Sequence, residues 1–253
     1  MKMPLHLKLA VFLRSFFIQN GWNFKSLISL GFCFAIVPLA RRLYGGDIEK
    51  YNAFMRRQLN FFNAHPYFAA FALGSVSRLE TDRQADPALA PEKIEKLKSA
   101  LIGPLGALGD GYYWAIIRPA TLAFAVAGLL LFEDAKWRLI FLALLFILYN
   151  LPHLHTRWQG LSQGYELGFG VSRVLKSEHF SKLGLYRWLG AVSLGIIGGI
   201  VILESYQTNI MGPIVFAGSA LIAAFLKRRK SMSYHAMLLP LALAILAGMV
   251  YGL

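Results

Sequence analysis

The twenty residues from Tyr113 to Phe132 carry a single charged side chain, Arg118, and apolar runs recur at Leu139–Pro152, Trp188–Leu203, Asn209–Leu226 and Tyr234–Leu253. A helix rising 1.5 Å per residue needs about 20 residues, within a range of about 17–25, to cross a hydrocarbon core of about 30 Å. The first, fourth and fifth runs meet that length. The second and third reach it by borrowing Trp137, Tyr186 and Trp188 as interfacial anchors. Two earlier stretches differ. Leu27–Ala40 is only 14 residues long, between Lys25 and Arg41, and Phe61–Ser77 is interrupted by Asn63, His65 and Pro66. Fourteen helical residues cover about 21 Å, so these read as re-entrant or interfacial helices, with a buried helical hairpin as the alternative. The expected fold is all-α: a polytopic membrane protein with an amphipathic and re-entrant region over 1–100, then about five transmembrane helices over 101–253.

Charge placement supports that reading. The chain has 26 Lys+Arg against 13 Asp+Glu, a net charge of +13, yet 57% of its residues are hydrophobic and 15% charged, against about 25% charged in soluble proteins. Of the 26 basic residues, 23 fall in 1–25, 41–60, 78–98, 155–187 and 227–230. If all five segments face the cytoplasm the positive-inside rule holds throughout, with the N-terminus inside and the C-terminus outside. The exceptions are Arg118 and the pair Lys136 and Arg138 in an outer turn with Glu133 and Asp134. The N-terminus shows no cleavable signal. The basic segments lack aromatic interleaving and any helix-turn-helix or zinc pattern, so no nucleic-acid partner is expected, and LKRRK at 226–230 reads as a topology determinant. Cys33, the one cysteine, reads as a small buried hydrophobe.

Polar groups at membrane depth are costly and default to functional candidates. Asn63 and His65 precede Pro66, which removes a backbone donor; either a broken helix exposes them to a solute, or Asn63 caps a helix whose first turn holds Pro66. Gly103, Gly106, Gly109 and Gly111 surround Asp110, a pattern that permits tight turns and close approach of a ligand. It is neither a dinucleotide fingerprint nor a P-loop. Asp110 with Trp114 suits a sugar, whose hydroxyls need acceptors and whose C–H face stacks on an aromatic ring, although Trp114, Tyr112 and Tyr113 also suit interfacial anchoring. Arg118 beside Pro119 calls for a buried acceptor, freed carbonyls or a carboxylate. Gly160, Gly164 and Gly168 stand four apart, the small-residue pattern of close helix packing, with Glu166 off the stripe. His153 and His155 lack a thiol or carboxylate set, and no catalytic constellation is spelled out, so no catalytic residue, metal or cofactor is expected.

Four ordered blocks, Phe12–Tyr44, Gln58–Gly74, Leu101–Pro119 and Trp158–Gly168, containing QNGWN, GFCFAIVP, RRLY, FFNAHP, GPLGALGD and WAIIRP, resemble the IID component of mannose/fructose/sorbose-type phosphotransferase permeases. The resemblance implies a bacterial inner-membrane subunit that pairs with a IIC component to pass a hexose or amino sugar, in trimers of IIC–IID pairs. A cytoplasmic IIB domain, charged by IIA, phosphorylates the sugar, and IID carries no phosphohistidine. By motif position, Asn63, Asp110 and Trp114 fall near the translocation path, and Trp22 and Asn23 pack the N-terminal motif. Gly111 stands where the family usually has proline, and only Glu204–Thr208 separates two spans where many members have a longer segment. A reduced homologue serving as a membrane scaffold or regulatory partner is the alternative.

Overall fold

The computed structural model describes residues 2–175 and 183–208. The runs at Asn209–Leu226 and Tyr234–Leu253 lie outside the described residues. Ten α-helices follow in order, with no strand among the described residues: α1 Leu5–Ser15, α2 Ser29–Tyr44, α3 Ile48–Gln58, α4 Ala69–Ala85, α5 Pro91–Ala100, α6 Ile102–Gly109, α7 Arg118–Leu131, α8 Ala135–Leu167, α9 Ser172–Leu175 and α10 Gly184–Thr208. A π-helical stretch, Asp110–Ile117, joins α6 to α7.

Three helical runs among the described residues are long and apolar enough to cross a membrane: Pro91–Leu131, Ala135–Leu175 and Gly184–Glu204. Two outrun the sequence expectation. The span read as Tyr113–Phe132 is the C-terminal part of a helical run that starts at Pro91. The span read as ending at Pro152 continues to Leu167, with Pro152 inside α8. Proline leaves the carbonyl four residues back without its N–H donor. Here that carbonyl, Leu148 O, accepts a hydrogen bond from the Tyr186 hydroxyl of α10 at 2.9 Å, so the backbone stays satisfied and the helix runs on.

The turn between α7 and α8 is short because Asp134 caps α8, accepting from Lys136 N at 2.7 Å, while Arg138 Nε donates to Phe132 O at 2.6 Å. Phe141 fills the space beside Gly128, where a Cβ would fall on its ring.

The N-terminal helices pack around a continuous apolar core that includes Leu7, Phe32, Phe54 and Phe62. In the first connection Asn23 organises a turn, its Oδ1 accepting from Ser26 N at 2.9 Å and Lys25 N at 3.1 Å. Leu27, in the left-handed region at φ 54°, then bridges to Phe62. Trp22, expected to pack this motif, is half exposed and meets Phe24 edge-on at 4.8 Å.

Among the described residues the most extensive helix contact is that of α4 with α8. Side-chain-free positions let the backbones meet: a Cβ on Gly164 would fall on Phe71 O and lie 2.9 Å from Ser75 N, and one on Gly74 would fall on Leu161 O. Gly168 has a different job. At φ 52° it ends α8, a conformation in which glycine carries no Cβ strain.

Basic residues counted by segment do not all reach a surface. Arg157, assigned by segment to the cytoplasmic face, is 3% exposed inside the bundle. Its Nη1 donates to Ser15 O at 2.6 Å and Ser15 Oγ at 3.2 Å, tying α1 to α8. Lys98 is buried likewise, donating to Gln58 O at 2.8 Å across the Phe32 ring.

Candidate functional site

The break between α3 and α4 places His65 and Tyr67 in non-helical backbone, and α8 and the π-helical stretch close over them. His65 is buried and stacks on Tyr113 with centroids 5.2 Å apart and planes 16° apart. Tyr67 stacks on His153 at 4.6 Å, and the Arg157 guanidinium lies 4.9 Å from the Tyr67 centroid. The hydroxyls are matched: Tyr67 with Tyr149 at 2.8 Å and Tyr113 with Thr156 at 2.8 Å. His153 Nε2 pairs with Asn150 Oδ1 at 2.9 Å.

Burial, and then the Arg157 charge, holds the His65 imidazole down to about 4, so it is neutral at physiological pH. Its Nδ1 accepts the Tyr67 N–H at 3.3 Å, which assigns the ring proton to Nε2, a buried atom with no hydrogen-bond partner among the described residues.

Outside this cluster the glycines of GPLGALGD do not turn the chain. They are helical, and the π-helical stretch that follows starts at Asp110. Gly109 is where His65 fits: a Cβ there would fall on the imidazole. Gly103, Gly106 and Gly111 face open space within 4 Å. Gly103, Ala107, Asp110, Trp114 and Arg118 are all exposed and recur every three or four residues, about one turn, so they form a single outward stripe.

Arg118 is exposed rather than set on a buried acceptor, its guanidinium 5.0 Å from the Trp114 centroid. A groove of about 490 Å³ runs beside it between α7 and α8, with Trp114, Arg118, Tyr149 and Asn150 at one end and Leu122, Leu145 and Phe146 at the other.

The expected site residues therefore divide. Asn63 is exposed in the break and caps nothing, since α4 starts six residues later at Ala69 without a side-chain cap. His65 is buried. Its ring and that of Trp114 lie 5.2 Å apart, linking the buried cluster to the stripe. Asp110 points outward with Arg118.

Tyr67, Tyr149 and Arg157 were not singled out from the sequence, although Arg157 falls on the face of α8 that carries Gly160 and Gly164. Glu80 was also missed. It is fully buried in α4, accepting from Arg57 Nη2 at 3.0 Å and from the Tyr44 hydroxyl at 3.1 Å.

Residues 6–202 match the family described as PTS system mannose/fructose/sorbose family IID component. The chain is similar to the PTS system mannose-specific EIID component of Escherichia coli (strain K12), 38% identical over 174 residues, covering 69% of this chain and 60% of that protein. It is also similar to the fructose permease IID component of Bacillus subtilis (strain 168), 31% identical over 208 residues, covering 81% of this chain and 71% of that protein. The match thus spans less than two thirds of the Escherichia coli relative.

Among solved structures, a chain in the complex of the mannose transporter ManYZ with microcin E492 is 28% identical with a TM-score of 0.60, covering 100% of this chain and 98% of that one. A second, described as a membrane protein, is 27% identical with a TM-score of 0.70, covering 100% and 99%. An all-helical membrane protein with these blocks in this order, this chain belongs to the IID component family of the mannose/fructose/sorbose phosphotransferase systems.

Proposed function

We propose that this chain is the IID subunit of a phosphoenolpyruvate-dependent sugar permease. With a IIC subunit it forms the pathway for a hexose or amino sugar, and cytoplasmic IIB, charged by IIA, phosphorylates the sugar. The chain catalyses no step itself. The N-terminus lies in the cytoplasm and the C-terminus outside, and IIC–IID pairs assemble as trimers. Family membership and the likeness to a chain of the ManYZ transporter support this reading.

The observation that carries it is the outward stripe. Gly103 and Ala107 present almost no side chain, the condition for a partner helix to approach closely in a membrane, where packing rather than water drives association. One turn on, Asp110, Trp114 and Arg118 place a carboxylate, an aromatic face and a cation on that same surface. Charged groups on a spanning helix are tolerated where they meet a partner or line a hydrated path. Asp110 accepts from sugar hydroxyls or from the partner, and Trp114 offers a face to the C–H surface of the ring. Gly160 and Gly164 pack α8 on α4 and hold the buried cluster behind that face. Asn63, exposed in the break, and His65, behind Trp114, complete the candidate set.

Sugar uptake in cells carrying the partner subunits tests this. Uptake appears with the chain and falls at least tenfold with Asp110→Asn or Trp114→Ala at equal membrane abundance. Equal uptake with and without the chain, across hexoses and amino sugars, refutes the reading.

A further inference from the structure

A second cavity lies away from that stripe, where the last turns of α2 and α4 meet α3. It holds about 310 Å³, the lower end of the roughly 300–1,000 Å³ range of small-molecule sites. Lys50, Arg57 and Arg83 line it together with Tyr44 and Gln84, and no acidic side chain does.

The carboxylates that balance these cations stand behind or beside the cavity. Glu80, fully buried, takes Arg57 Nη2 at 3.0 Å and the Tyr44 hydroxyl at 3.1 Å, with Arg83 Nη1 at 3.6 Å. Glu95 lies 4.0 Å from Arg57 Nε, and Asp47 pairs with Lys50 at 2.9 Å.

A clasp between helices needs one guanidinium for one carboxylate. Here two converge on Glu80, and between them they carry about ten N–H donors for its two oxygens. Arg57 Nε is buried without a hydrogen-bond partner. Glu80 therefore holds both guanidinium groups on one side of the cavity, and Arg57 and Arg83 both line it. Lys50, exposed and paired at the surface with Asp47, is free to turn inward at little cost.

We infer that this cavity binds a small soluble phosphomonoester, whose dianionic head matches two preorganised guanidinium forks closed by a lysine. Guanidinium forks bind phosphate oxygens in pairs, and the lysine adds a point charge. The inference stands on the cavity alone and does not rest on the transport reading.

Isothermal titration of the purified full chain in detergent tests it, with glucose 6-phosphate and inorganic phosphate as ligands, glucose as control, and vesicles of phosphatidylglycerol and phosphatidylethanolamine as the lipid arm. Both phosphates bind, glucose does not, and affinity falls about tenfold or more in Arg83→Gln and in Lys50→Gln, the loss of one charge-assisted contact. Lys50 is exposed, so Lys50→Gln carries the test if Arg83→Gln does not fold. Absence of phosphate binding, equal binding by folded variants, or binding to the anionic vesicles alone overturns the inference.

Discussion

Gly164→Ala puts one methyl group where α4 and α8 touch. The added Cβ falls on Phe71 O and lies 2.9 Å from Ser75 N and 3.1 Å from Gly74 Cα. All three are backbone atoms of α4, so no side-chain rotation relieves the contact and the helices must part. Overpacking of a well-fitted interface costs about 1–3 kcal/mol, and backbone against backbone belongs at the upper end. Replacing glycine by alanine inside a helix returns about 1 kcal/mol. The net loss is about 2 kcal/mol, a fall of roughly 4–8 °C in unfolding midpoint for a chain of this size. Gly103→Ala is the control: nothing lies within 4 Å, so only the helical gain of about 1 kcal/mol remains. Thermal unfolding of the two variants in one detergent, followed by tryptophan fluorescence, should shift in opposite directions. A Gly164→Ala protein as stable as the parent would refute the backbone contact, and so would variants that shift together.

Other parts of the molecule give their own tests. Tyr186→Phe removes the donor to Leu148 O, a part-buried contact, and should cost about 1 kcal/mol, the lower end of the penalty for an unpaired carbonyl. Pro152→Ala supplies the missing helical N–H, so the same change on that background should be nearly neutral in a double-mutant unfolding cycle; two equal losses would contradict the pairing. His65 is held down to about 4 from an ordinary 6.5. Its neutral form stabilises the fold fully above pH 6.5, and that contribution, at most roughly 3 kcal/mol, is lost as pH falls toward 4. The difference in urea stability between the parent and His65→Gln should shrink over that window, and a constant difference would refute the burial argument. In the pathway, Trp114→Phe should keep more uptake than Trp114→Ala, since the ring face is retained; equal losses would point away from stacking.

Helix type and the presence of spans were legible because hydrocarbon demands long apolar runs and long apolar runs are plain in a sequence. Boundaries were not, because a distant residue decides them: Pro152 reads as a helix end until Tyr186 supplies a donor to Leu148 O. Segment-wise charge counting does not foresee the burial of Arg157, whose partner Ser15 lies 142 residues away. The GPLGALGD glycines read as turns on composition alone, yet their helical backbone turns them into an open face and a seat for His65. Asp110, Trp114 and Arg118 were legible as polar groups in an apolar run, and their helical spacing was there to be counted. Tyr67 and Tyr149 gave no local signal, since a tyrosine at a helix break and one inside a span both read as interfacial anchors.

The proposed role of this chain is to complete a sugar pathway with a IIC partner. Phosphoenolpyruvate-dependent phosphorylation of a radiolabelled hexose is measured in proteoliposomes holding the partner with and without this chain, supplied with IIB, IIA and the soluble proteins that charge IIA from phosphoenolpyruvate. Phosphorylation is expected only when both membrane subunits are present. The same rate from the partner alone would contradict it.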